Sequence, residues 1–303
     1  DDEMSRVEQM QLSYDSMELL YVGSESCLEC HEQEYDDWQG SHHDMAMMRV
    51  SDTAVLGDFD DVTFTSQGVT SRFYQKDGRY FVHTEGPDGN YQDFEISYTF
   101  GIEPLQQYIV EFPKGNYQCL RTAWDTELGK WFDLYPDMKI VHDEWLHWTN
   151  GGLNWNIMCS DCHSTLVKKD YDESAAAYNT TYSLIDVSCE ACHGPAKVHM
   201  DIVQAADYDE ELDTGQYDHG LFMNRYTKPR EMVDQCARCH ALRTQFTDFY
   251  DHKGLFMDHY APDVLRDEMY HADGQILGEV YVYGSFLQSK MYRNNVKCSD
   301  CHN

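Results

Sequence analysis

Cys189-Glu190-Ala191-Cys192-His193 decides how this chain folds. Two thiols three residues apart share one helical turn, and the imidazole that follows lies on the same face. The pattern recurs as Cys27-Leu28-Glu29-Cys30-His31, Cys159-Ser160-Asp161-Cys162-His163, Cys236-Ala237-Arg238-Cys239-His240 and Cys298-Ser299-Asp300-Cys301-His302. Ten of the eleven cysteines are used in these five copies. Chance placement of 11 Cys and 15 His among 303 positions yields only about 0.02 copies.

The C-x-x-C-H segment is the attachment site of c-type haem. Its thiols form thioethers with the two vinyl groups of one porphyrin, and its His offers an imidazole nitrogen to the iron. Disulfides would not demand a His after every second Cys, and a zinc site would lack a consistent fourth ligand. Five covalent haems c per chain are therefore expected. Cys27, Cys30, Cys159, Cys162, Cys189, Cys192, Cys236, Cys239, Cys298 and Cys301 attach them. His31, His163, His193, His240 and His302 are the proximal ligands.

The chain is 42% hydrophobic and 14% aromatic, too apolar to be disordered and long enough for one large domain or two small ones. It has no apolar run long enough for a transmembrane helix, and its opening Asp1-Asp2-Glu3-Met4 lacks the basic and apolar regions of a signal peptide. Haem is attached to such motifs outside the cytoplasm. The expectation is a mature periplasmic or extracellular chain from which the signal has been removed. The net charge is −32, from 54 acidic and 22 basic residues. That excludes nucleic acid and anionic membrane surfaces as partners. Acids spread along the whole chain point first to solubility and second to steering of a basic redox partner.

Four segments follow from the patterning. Residues 1–24 form an acidic, Met-rich arm, and 25–59 a first haem-binding segment whose short helix stops at Gly40-Ser41. In 60–135, β-branched and aromatic residues alternate with polar ones around Lys76-Asp77-Gly78-Arg79, Pro87-Asp88-Gly89-Asn90 and Pro113-Lys114-Gly115-Asn116. Such turns predict an antiparallel β module without haem. Residues 136–303 carry four sites, with Pro195 and Pro229 opening helices. The expected fold is α+β with much irregular structure and short helices, where the haems serve as core and a β module is inserted.

The sequence resembles a family of multihaem c-type cytochromes, some of them fused to tetratricopeptide repeats. The matching stretches are Tyr21-Val22-Gly23-Ser24, Trp38-Gln39-Gly40-Ser41-His42-His43, Tyr98-Thr99-Phe100-Gly101 with Pro104-Leu105-Gln106-Gln107-Tyr108, His147-Trp148-Thr149 with Asn154-Trp155-Asn156, Cys189 to Pro195, His271-Ala272-Asp273-Gly274-Gln275, and Tyr281 to Met291. They run from residue 21 to 302, and the downstream repeats of the fused members are absent. The resemblance implies electron transfer, and a subunit of an extracellular cytochrome filament is one form it takes.

Ten histidines lie outside the motifs, at 42, 43, 83, 142, 147, 199, 219, 252, 259 and 271. Five irons need five distal ligands, so bis-His ligation throughout is expected, giving low-spin, low-potential haems. His43, His147, His199, His259 and His271 fall in the family-like stretches, and His42 competes with His43. His83 in the β module is taken as an ordinary surface or core residue, and Met45, Met47 and Met48 as packing. Cys119, the odd cysteine, is expected to be a buried small hydrophobe of the β module, with an intermolecular disulfide as the alternative. Asn179-Thr180-Thr181 is a glycosylation sequon.

Three functions compete: a diffusing electron shuttle, a multihaem redox enzyme of the nitrite or hydroxylamine type, and a polymer conducting along stacked haems. The C-x-x-C-K motif of multihaem nitrite reductases is missing, which favours electron transfer over catalysis. Partners are then redox proteins or an extracellular electron acceptor. In the polymer, the haem 5 end of one copy docks head-to-tail near the haem 1 end of the next. His42 or His43 then serves the neighbour's iron.

Overall fold

Asp77 and Gly78 form a tight turn of the β module, with φ of 53° and 72°. Lys76 pairs with Arg79 across it, so the loop has two residues in the left-handed region, the geometry that matches the twist of the strands it joins. At Gly115, φ is 70° and an added Cβ would fall 2.1 Å from the Tyr178 carbonyl oxygen, so only glycine fits.

The computed structural model describes residues 14–205, 220–221, 228–252, 255–278 and 281–302. The first part of the expected N-terminal arm, and His219, lie outside the described residues. Nine strands form one antiparallel sheet: β1 (Met47–Arg49), β2 (Val62–Ser66), β3 (Val69–Lys76), β4 (Arg79–Glu85), β5 (Tyr91–Phe100), β6 (Leu105–Phe112), β7 (Asn116–Cys119), β8 (Thr122–Asp125) and β9 (Lys130–Asp133). Their order is β2-β3-β4-β5-β6-β8-β9, with β1 on β5 and β7 on β6. The alternating side chains put Phe73, Tyr80, Val82, Ile96, Tyr108 and Trp131 inside. Phe73 and Trp131 stack with ring centres 3.6 Å apart.

Outside the sheet the described helices are short: α1 (Glu32–Trp38), α2 (Trp155–Met158), α3 (Ser160–His163), α4 (Cys189–His193), α5 (Lys197–Val203), α6 (Pro229–His240), α7 (Phe256–His259), α8 (Tyr283–Gln288) and α9 (Lys290–Arg293). Pro229 opens α6 at its first turn. Two small ribbons complete the fold, β10 (Tyr171–Asp172) with β11 (Ala177–Tyr178), and β12 (Arg243–Gln245) with β13 (Tyr260–Pro262). The fold is α+β with an antiparallel β module among short helices and irregular chain. Among the described residues no helix is long and apolar enough to cross a membrane.

The chain divides into two units, Cys27–Ser188 and Asp1–Ser26 with Cys189–Asn303. The first unit holds the β module and motifs 1 and 2, and the second holds motifs 3, 4 and 5. The expected segments 25–59 and 60–135 fall in the first unit apart from residues 25 and 26, 1–24 falls in the second, and 136–303 is shared between the two. Their cores differ. The first unit buries a cluster of sixteen residues, among them Phe59, Phe73, Trp131, Trp148 and Trp155. The second buries only Val233, Ala237, Ala241, Phe256, Tyr260 and Tyr283 in its cluster among the described residues.

Candidate functional site

Each C-x-x-C-H motif is one turn of helix. Motif 2 lies on α3 with Cys159 at its N-cap, motif 3 is α4, and motif 4 is the last turn of α6. Motifs 1 and 5 run from 3-10 turns, Ser24–Cys27 and Cys298–Asp300. The His31 N–H donates to the Cys27 carbonyl at 2.9 Å, and the His302 N–H to the Cys298 carbonyl at 3.0 Å. One turn brings both thiols and the imidazole to one side.

In the first unit the β module supports motif 2. The Phe100 ring lies 4.2 Å from the His163 ring, centre to centre. Trp155, four residues before Cys159, donates its indole N–H to Met47 Sδ at 2.8 Å, and Met47 is 1% exposed. Cys159 packs against the module's core, to which Cys119 belongs. Cys119 is buried, its Sγ accepts from Gln107 Nε2 at 3.1 Å, and burial pushes its thiol pKa well up. Motif 1 is more open, with Cys30 and His31 exposed.

The second unit joins its three motifs directly. Gln235 Nε2 in α6 donates to the Cys192 carbonyl at 3.0 Å, and Arg238 Nη1 donates to the Ala191 carbonyl. Motif 4 is thereby strapped to motif 3. Cys298 packs against the apolar cluster that includes Val233 and Ala237 of α6, and Ser299 Oγ donates to Met232 Sδ at 3.0 Å. Motif 5 is thereby held against α6. Between motifs 4 and 5 lies a cleft of about 210 Å³. Its walls combine Cys236, Cys298, Cys301, His240 and His302 with apolar Val233, Phe286 and Met291. Thiols and imidazoles facing one apolar cleft are the donor set that a thioether-bound porphyrin takes, so these residues fit the group.

The expected distal histidines are placed as follows. His42 is exposed, with Nε2 3.5 Å from Glu103 Oε2. His43 is exposed, and its carbonyl accepts from the Val187 N–H at 3.1 Å. His199 is half-buried on α5, and His271 is exposed in a turn closed by the Gly274 N–H on the His271 carbonyl at 2.8 Å. His259 ends α7 and is buried, with Nε2 3.4 Å from Asp251 Oδ1. His83 pairs with Asp93 on the surface of β4 at 2.8 Å.

His252 belongs beside His259 and was not singled out among the distal ligands. It is buried, its Nε2 meets Tyr21 Oη at 3.0 Å, and the Tyr250 ring packs on both imidazoles at 4.7 and 4.8 Å. Burial, then Arg238, His259 and His193, hold its pKa well below the usual value. A neutral imidazole is the iron-binding form. The sequence signal available was weak: a His flanked by Phe249 and Tyr250 in a polar stretch. Glu190 and Arg238 were also missed, since both occupy the variable positions of their motifs.

His147 is buried in a cavity of the β module lined by Leu120, Arg121, Asp133 and Trp148, and no C-x-x-C-H residue lines it. Its Nδ1 lies 2.8 Å from Thr149 Oγ1. Burial, then His142 and Arg121, lower its pKa to about 4. An unfolded His titrates near 6.5, so the native form binds this proton less well. The stabilisation is complete above about pH 6.5 and is lost as pH falls towards 4, by up to about 3 kcal/mol. Urea unfolding at pH 7 and 4.5 should show that loss in the wild type and a flatter dependence in His147→Gln. A changed haem spectrum in His147→Gln would instead put His147 on an iron.

The sequence model of the family described as "Cytochrome c554 and c-prime" matches residues 26–64 and 146–194. Those stretches hold motifs 1, 2 and 3. The solved outer cell wall cytochrome OcwA shares the fold over 82% of this chain, with a TM-score of 0.51 and 18% identity. Motifs 1, 2 and 3 of this chain thus resemble those of a c-type cytochrome family. The chain spans about half the length of OcwA, 46%. No curated protein matches it. Members of such a family bind haem c covalently, and the motif cysteines of this chain are the residues that would hold it.

Proposed function

We propose that the chain is a multihaem c-type cytochrome that carries five haems c and transfers electrons through them outside the cytoplasm, in the periplasm or at the cell exterior. The observation that carries this reading is the strapping of motif 3 to motif 4, with motif 5 packed on α6 through Cys298 and Ser299. Porphyrins tethered by thioethers to turns in hydrogen-bond contact are neighbours, and neighbouring haems exchange electrons. When bound, they supply one-electron iron chemistry.

The chain's own residues do the rest. The motif cysteines fix each ring, and His31, His163, His193, His240 and His302 bind the irons from the proximal side. Distal ligands would be drawn from His42, His43, His199, His259 and His271, with His147 the one expected ligand whose cavity no motif residue lines, and the burial of His252 adds a further candidate. Bis-His ligation leaves no open coordination position, which fits a carrier better than an enzyme. Cys30 and Cys301 are exposed while the other motif cysteines are half-buried, so sites 1 and 5 are the open ones for uptake and release of electrons. A redox protein or an extracellular acceptor docks there. The same two open sites support the head-to-tail filament, in which site 5 of one copy stacks on site 1 of the next. The outer-cell-wall name of OcwA supports the location.

Intact-mass spectrometry of the denatured holoprotein tests the reading. The mass should exceed that of the chain by five haems, and four or fewer would overturn it. Electron microscopy separates filament from shuttle, because a monodisperse monomer leaves only the shuttle.

A further inference from the structure

Arg238 occupies a variable position of motif 4, between the two thiols that the motif supplies and two residues before its His. It nevertheless reaches another motif, donating to the carbonyl of Ala191, which stands between Glu190 and Cys192 of motif 3. Its guanidinium lies over the Tyr250 ring, 3.6 Å from the centre, close enough for a strong cation–π contact. A second arginine holds it from behind. Arg243 Nε donates to the Arg238 carbonyl at 2.7 Å, and the Arg243 guanidinium lies over the Tyr260 ring at 4.2 Å. Arg238 is thus clamped by backbone, side chain and stacking, and its charge is felt at Cys192, Tyr21 and His252.

An arginine is protonated in every accessible state. A fixed cation favours the reduced, less positive state of a neighbouring iron, and it acts more strongly in a partly desolvated position than in water. Lysine would keep the charge but not the planar fork that reaches the carbonyl while stacking on the tyrosine. Gln235 provides a second strap to motif 3, and it is uncharged.

We propose that Arg238 is a positioning residue that locks sites 3 and 4 together and, by its fixed charge between them, raises the reduction potentials of these two haems relative to the others. The pair then forms a sink within its unit, holding electrons in preference to site 5. The inference rests on the reading that sites 3 and 4 both carry haem.

The test uses the full-length holoprotein. Intact mass is measured first, so that a missing haem, which would sink the underlying reading, is recognised apart from a failure of tuning. Potentiometric titration followed in the visible spectrum then compares wild type, Arg238→Met and Arg238→Lys. Arg238→Met should move the potentials of two haems downward and leave three in place, while Arg238→Lys should stay close to wild type in potential. In both variants the Soret circular dichroism arising from coupled neighbouring haems should weaken, because only the Gln235 strap remains. Unchanged potentials in Arg238→Met, or equal shifts in both variants, would overturn the proposal. If Arg238→Met does not mature with five haems, Gln235→Glu places a negative charge at the same junction. It should lower the same two potentials, and no shift there would overturn the proposal equally.

Discussion

Replacing Glu190 by alanine is expected to abolish stable folding of the unit that carries sites 3, 4 and 5. Glu190 is 1% exposed, and its carboxylate is a three-way clamp. Oε1 accepts from the Ala196 N–H at 2.8 Å and the Val22 N–H at 3.0 Å, and Oε2 accepts from the Gly23 N–H at 2.8 Å. One side chain therefore ties the segment before motif 1 to motif 3 and to Ala196, the residue just before α5. Burial raises the carboxyl pKa, opposed by these three donors. Alanine leaves three partly buried N–H groups without their acceptor. At about 1.5–3 kcal/mol for a hydrogen bond to a charged group, less some recovery by water, the loss is about 4–6 kcal/mol. That is comparable to the whole stability of many domains. Glu190→Gln keeps one oxygen acceptor and should lose roughly half as much. Chemical denaturation followed by haem absorbance checks both. A Glu190→Ala protein within about 1 kcal/mol of wild type would show that the clamp is dispensable.

Phe59→Ala should destabilise the first unit by about 3–5 kcal/mol, the range for emptying a buried aromatic site. Phe59 is 3% exposed and meets four rings edge-on: Tyr80 and Tyr108 at 5.1 Å, Trp131 at 5.5 Å and Phe73 at 5.6 Å. The Trp131 indole N–H donates to the carbonyl of the preceding Asp58 at 3.0 Å, so the cavity cannot close by simple collapse of that segment. The module contains no attachment motif, and the haem count should stay at five. Thermal melting by near-ultraviolet circular dichroism, with intact mass in parallel, checks both parts. An unchanged melting temperature would mean that the aromatic cluster is not the module's core.

Local chemistry made the C-x-x-C-H turns and the β module legible before any fold was known. Thioether attachment needs only two thiols and an imidazole within one helical turn, so the spacing in the sequence contains the whole requirement. The same holds for the turns. Asp77-Gly78 and Lys114-Gly115 supply the left-handed backbone that a hairpin needs, and alternation around them supplies the buried face. Cys119 could be expected inside the module because a lone cysteine among alternating apolar residues faces the core.

What tertiary structure alone decided is how the motifs are grouped and what surrounds them. Motifs 3 and 4 are joined because Gln235 and Arg238 reach backbone carbonyls more than forty residues away, and motif 5 meets α6 through Ser299 and Met232. Motif 2 leans on the β module through Phe100, which lies far from it in sequence. His252 shows the same limit: its burial beside His259 and Tyr250 comes from tertiary packing, and no spacing rule points to it. Glu190 and Arg238 stand where the motif accepts any residue, so their roles are invisible until their distant partners are known. A covalent bond to haem is specified within five residues, whereas a hydrogen bond or axial ligand brought from elsewhere in the chain is specified only by the packing that delivers it.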